Sequence, residues 1–155
     1  MTSVDYEVIF SSFLGSVTDY NLASLDVTEA YEIMTELLHK ALADRYVSRL
    51  FSFKKLDDDI QKFFFEMKYV IDSESDLEFV INALAKWMKY EWQSDKVNNI
   101  ALESRLLAGK EQKYYSEANH MSALQALQSS AYSEAYKFVM SRGYIDNKYL
   151  EGKKK

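Results

Sequence analysis

At 155 residues, 48% of them hydrophobic, the chain has the length and apolar content of one folded domain rather than of a disordered segment. A net charge of −5 weighs against general affinity for nucleic acid, and the absence of cysteine excludes disulfides, thiolate chemistry and cysteine-based zinc sites. Proline is also absent, which leaves long helices uninterrupted, while 12 Tyr, 9 Phe and 2 Trp outnumber what so small a core can bury, so some rings are expected at contacts with partners.

Met1 to Gly15 carries Asp5 and Glu7 and no basic n-region, so it does not read as a secretory leader, and no apolar run approaches the roughly 20 residues that span a bilayer. The expectation is a protein made and kept inside a cell, with no membrane partner. Residues 4–14 are predicted as a short first helix, with Val4, Val8, Phe10 and Leu14 on its buried side and Gly15 closing it. Val17 to Leu25 is a connector. Asp26 as N-cap and Glu29 at N3 then open a long amphipathic helix to about Arg49. Its inward stripe is Ala30, Met34, Leu37, Leu38, Ala41 and Arg45, and Glu29, Glu32, Glu36 and Lys40 lie opposite.

Apolar residues then alternate, first at Phe51 and Phe53, later at Phe63, Phe65 and Met67, with Asp57-Asp58-Asp59 between them. Period two predicts a small β-hairpin or extended loop near residues 50–69, and a short helix from Ile60 to Tyr69 is the competing reading. Ser75 with Glu78 forms a capping box ahead of Leu77, Val80, Ile81, Leu84, Met88 and Trp92, so a helix is predicted to about Gln93. A fourth helix covers Lys96 to Lys110, with Val97, Ile100 and Leu107 inward. Ser116 caps the last, with Leu124, Leu127, Ala131, Ala135 and Phe138 as its stripe, and Gly143 follows Arg142 as the C′ residue. The expected fold is therefore mainly α, a helical bundle of about four to five helices with a small β-hairpin or loop. One domain covers 1–143, and 144–155 is a tail that docks on a partner through Tyr144, Ile145, Tyr149 and Leu150.

Two Glu-x-x-His pairs, Glu36 with His39 and Glu117 with His120, match the ligand spacing of ferritin-like di-metal bundles. At roughly 100° per residue, however, the first pair faces away from its helix's apolar stripe while the second faces inward in a first turn, so the two cannot converge on one metal site. Asp57-Asp58-Asp59 lacks the alternating ligands and central Gly of an EF-hand loop and reads as a solvated turn. Asp72, Glu74, Asp76 and Glu78 mark a helix start, where carboxylates complement the dipole. The four glycines are scattered and form no phosphate loop, and no serine sits in a nucleophile elbow. No catalytic residue, metal ligand or cofactor is expected. The candidate contact residues between copies are instead aromatic: Phe63, Phe65, Trp87, Tyr90, Tyr132 and Tyr136. Lys153-Lys154-Lys155 reads as a solubilising basic end.

Three segments carry a resemblance: IFSSFLGSVTDYNLASL (Ile9 to Leu25), AKWMKYEW (Ala85 to Trp92) and KYYSEANHMSAL (Lys113 to Leu124). Over about residues 5–142 the chain resembles the neck or head–tail connector proteins of tailed bacteriophages, notably those of Gram-positive hosts; Phe51 to Met67 has no firm counterpart there. The resemblance implies a virion structural protein without catalytic activity, present in the host cytoplasm during assembly. Such proteins form rings, commonly dodecamers, between the portal and the tail or tail-completion protein, with DNA passing through unread. By position, Tyr144, Ile145, Tyr149 and Leu150 would reach the neighbouring ring. A net acidic ring suits sliding DNA. The rival expectation is a small cytosolic helical binding module, such as a tail-assembly chaperone, tail-completion protein or regulator.

Overall fold

The two periodicities of the sequence, helical and extended, both appear in the computed structural model, which describes residues 1–17, 25–106 and 111–145, with side chains over 1–17, 25–99 and 120–142. Strand β1 (Thr2–Asp5) runs straight into α1 (Tyr6–Ser16). Helix α2 (Val27–Ala43) is followed by the one-turn α3 (Arg45–Ser48), the hairpin β2 (Phe51–Asp57) and β3 (Lys62–Met67), and two long helices, α4 (Ser73–Leu106) and α5 (Glu111–Ile145). The mainly α class with a small β element is as expected, and of the readings for residues 50–69 the hairpin is the one found.

The hairpin is a strand pair because Phe63, Phe65 and Met67 alternate onto the buried face together with Phe51, leaving Phe53 exposed beyond a bulge, and because its turn supplies its own bonds. Asp57 Oδ1 accepts from the backbone N–H groups of Asp59 at 3.2 Å and Ile60 at 3.4 Å, and Gln61 takes the left-handed φ of 54° that closes the turn. β1 adds to β3 antiparallel, giving the order β1-β3-β2, with Val4 and Leu56 flanking Phe63 on either side. The N–H of Tyr6 donates to the Gln61 carbonyl at 2.9 Å, so the first turn of α1 is anchored on the hairpin tip.

This pairing corrects the expected first helix. Val4 belongs to a strand, and α1 starts at Tyr6. From there the positions three and four apart, Tyr6, Ile9, Phe10 and Phe13, face the core, while Val8 and Leu14, expected inside, are about half exposed. In α2 Met34, Leu37, Leu38 and Ala41 are buried as predicted, Ala30 is partly buried, Leu42 joins the buried face unpredicted, and Asp26 holds the N-cap position without a side-chain capping bond. The helix ends at Asp44 rather than Arg49. Asp44 adopts ψ 138°, and its carboxylate caps α3 by accepting from the N–H groups of Tyr46 at 2.8 Å and Val47 at 3.4 Å. Arg45, expected on the buried stripe, is consequently exposed.

The two helices expected over 75–110 are one as far as Leu106, with Leu107 and Lys110 outside the described residues. Neither Gly nor Pro interrupts Ser73 to Leu106, and the cap is Asp72, which accepts from Ser75 N–H at 2.9 Å, rather than Ser75. Two members of the polar run at 93–95 that suggested a break are met by neighbours, Ser94 accepting from Gln128 at 3.0 Å and Asp95 from Lys40 at 3.3 Å, while the buried Gln93 Oε1 has no hydrogen-bond partner among the described residues. α5 likewise begins at Glu111 and contains Ser116, and it passes through Gly143 to Ile145. Leu124, Ala131 and Ala135 are buried as predicted and Phe138 is partly buried, Leu127 is exposed, and Val139 and Arg142 complete the inward stripe. The contacts Arg142 to Asp76, Glu134 to Lys86 and Gln128 to Ser94 set α4 and α5 antiparallel. α4 is the central element, packing on α1, α2, α5 and β1. Its Val80, Leu84, Trp87 and Met88 are fully buried, each such side chain being worth about 1.5–3 kcal/mol.

Candidate functional site

Phe63, Phe65 and Trp87, expected at contacts between copies, are core residues: their exposures are 0%, 1% and 0%. β1 lays the first residues of the chain beside β3, where Phe63 and Phe65 join Phe51 in one ring cluster at 5.1–5.6 Å, while Trp87 is covered by the rings of Tyr46, Tyr90 and Tyr132. Tyr90 is partly buried, whereas Tyr132 and Tyr136 are 37% and 36% exposed. Tyr144 and Ile145 end α5 with their side chains outside the described residues, and Tyr149 and Leu150 lie outside the described residues altogether.

The exposed tyrosines are the outer edge of a platform built from three helices. Trp87 of α4 is its root. Tyr46 of α3 stacks on it at 6.3 Å, and Tyr90 and Tyr132 meet it edge-on at 5.7 and 5.6 Å. Tyr136 completes the set, 5.0 Å from Tyr46 and 6.1 Å from Tyr132. Residues 132 and 136 stand one turn apart on α5, so their rings run parallel along the helix surface. The position of Tyr46 depends on the Asp44 cap and on Val47, which is buried and pins α3 to the core.

Two cations crown the platform. Arg45 donates to the Tyr46 hydroxyl at 2.9 Å, with its guanidinium 4.8 Å from the ring centroid, and Arg49 lies 5.9 Å above the same ring. Burial, with Tyr46 next, raises the Tyr132 phenol above its usual range. Beside the platform a cleft of about 200 Å³ is lined by Tyr46, Arg49, Leu50, Tyr69, Val139, Met140 and Arg142. Past its rim Tyr69, Val70 and Ile71 form a run of exposed apolar residues. Rings, methionine and arginine around a dry root are the composition of protein recognition surfaces.

Of the contact residues expected from the sequence, Tyr132 and Tyr136 stand on this exposed platform, while Tyr46, Arg49 and the Tyr69-Val70-Ile71 run were not named and Arg45 was placed on a buried stripe. The available signals were the ring between two cations in Arg45-Tyr46-Val47-Ser48-Arg49 and an unbroken apolar triplet outside any predicted stripe. The histidines stand apart from this face. His39 Nε2 lies 2.9 Å from both carboxylate oxygens of Asp58, which also accepts from the Tyr6 hydroxyl at 2.5 Å. The aspartate run is thus more than a solvated turn, because Asp58 ties the hairpin tip to α1 and α2. His120 is exposed, and among the described residues no three His, Asp or Glu side chains gather as metal ligands. None of the helices is long and apolar enough to cross a membrane, among the described residues. Comparisons with family models, with characterised proteins and with solved structures give no match to this chain.

Proposed function

We propose that this chain is a non-enzymatic assembly protein that joins copies of itself through the tyrosine and arginine face, and that the assembly is the head–tail connector of a tailed phage. The observation that carries the reading is the rigid exposed platform of Tyr46, Tyr132 and Tyr136 with Arg45 and Arg49 above it. Such rings are held in place by the buried Trp87, so little side-chain entropy is lost when a partner covers them, which is what makes a contact residue effective. The resemblance in Ile9 to Leu25, Ala85 to Trp92 and Lys113 to Leu124 supplies the setting: a ring between the portal and the tail-completion protein, with DNA passing through it.

The test is electron microscopy of isolated portal rings with and without this protein. The reading expects an added ring of density below the portal, lost on Tyr132→Ser with Tyr136→Ser. Absence of added density with the wild-type chain overturns the connector reading, and a one-to-one complex with a single soluble partner would support the binding-module alternative.

A further inference from the structure

A second concave surface lies at the other end of α2. Between α1 and the first turns of α2 runs a groove of about 530 Å³, walled by Phe10, Leu14, Val27, Tyr31 and Met34, with Glu7 on its lining. Val27 is 79% exposed at its mouth. Glu7 lines the groove, Asp26 and Glu29 are exposed at the start of α2, and neither Lys nor Arg belongs to α1 or to the turns of α2 that wall it; Asp5, just before α1, is met by Lys62 at 3.8 Å.

The tyrosine and arginine face is its opposite in charge. Arg45, Arg49 and Lys137 are exposed there. The nearby carboxylates are already engaged, Asp44 in capping α3 and Glu134 with Lys86 at 2.6 Å. The two surfaces are separated by the 17 residues of α2, which at 1.5 Å per residue is roughly 25 Å. An acidic apolar groove and a basic aromatic face, at separate places on one molecule, are complementary between copies, and a contact between two different patches propagates head to tail and closes into a ring when the rotation permits.

We infer that the groove between α1 and α2 receives the tyrosine and arginine face of a second copy, with Tyr132 and Tyr136 entering it and Arg49 and Lys137 meeting Glu7 and Glu29. This rests on the assembly reading above and names the occupant of each surface. The test is a charge swap in the full chain, followed by sedimentation velocity. One variant carries Glu7→Lys with Glu29→Lys, the other Arg49→Glu with Lys137→Glu; all four positions are exposed, and unchanged thermal midpoints check the fold of each. Each variant alone is expected to self-associate at least about tenfold more weakly than wild type, since like charges then face each other. An equimolar mixture is expected to regain wild-type assembly, because every junction in an alternating chain again pairs opposite charges.

If the wild type assembles but the mixture stays monomeric, the pairing is wrong while the assembly reading stands. The pairing is equally overturned if either variant alone assembles as well as wild type. A wild type that stays monomeric at every concentration and with portal present overturns both.

Discussion

Arg142, near the end of α5, pairs with Asp76, in the first turn of α4, and both side chains are 7% exposed. The guanidinium also donates to the Tyr69 carbonyl at 3.0 Å and lies 4.8 Å from the Phe79 ring, while Asp76 accepts from Ile71 N–H at 3.2 Å. One ion pair therefore fixes three things: the register of the long helical hairpin, the floor of the cleft beside Tyr46, and the loop that displays Tyr69, Val70 and Ile71. Removing one partner leaves the other charged and buried. Arg142→Met is expected to cost about 3–5 kcal/mol in urea unfolding, and the double variant Arg142→Met with Asp76→Leu about half that or less. A double variant as unstable as the single one would contradict this.

Acid should weaken the attachment of the hairpin tip through Asp58. The Tyr6 hydroxyl bond, then the His39 contact, hold the Asp58 carboxyl below the usual carboxylate range, while burial and Asp58 itself push the Tyr6 phenol far up, so Tyr6 remains a neutral donor. A carboxylate with a depressed folded pKa contributes stability that is present above its unfolded value, near 3.8, and is lost as pH falls through the lower folded value. Asp58→Asn should therefore narrow the stability gap between wild type and variant as the pH is lowered from about 5 to about 3. Solvent screening keeps the effect small, because the Asp58 side chain is 53% exposed. A gap that widens towards acid would contradict it.

Asp44 is expected to matter more for assembly than for stability. Asp44→Ala removes the acceptor of two N–H groups, a loss of about 1 kcal/mol by thermal unfolding. It also removes the stop between α2 and α3, so Tyr46 is no longer held on Trp87. Self-association should then fall by about tenfold, more than the stability change alone accounts for.

These elements also show how far the sequence could be read. The α2 stripe and the hairpin follow from local periodicity, and both are found. The Asp44 stop is not local: aspartate is tolerated in a helix, and its capping role decides the outcome only because Val47 and Tyr46 have places in the core and against Trp87. The continuity of α4 was hidden for a similar reason, since Gln93-Ser94-Asp95 looks like a linker until Gln128 and Lys40 are brought to it. Phe63 and Phe65 seemed available to partners because nothing in their own segment reveals that β1 pairs with them from about sixty residues away. Spacing on α5 set Tyr132 and Tyr136 beside the buried stripe, and both stand at the surface.

The same contrast separates core from surface rings experimentally. Phe63→Ala should cost about 3–5 kcal/mol in chemical unfolding, as expected for a fully buried ring. Tyr136→Ser should cost about 1 kcal/mol, its ring being over a third exposed. Equal losses would mean that Tyr136 serves the chain's own core.

Sedimentation velocity of the wild-type chain and the Tyr132→Ser, Tyr136→Ser variant, over a concentration series with and without portal rings, tests the assembly account most directly. The account predicts larger species that grow with concentration or on the portal for the wild type, and a folded monomer for the variant. A wild type and variant that sediment identically in every condition would contradict it.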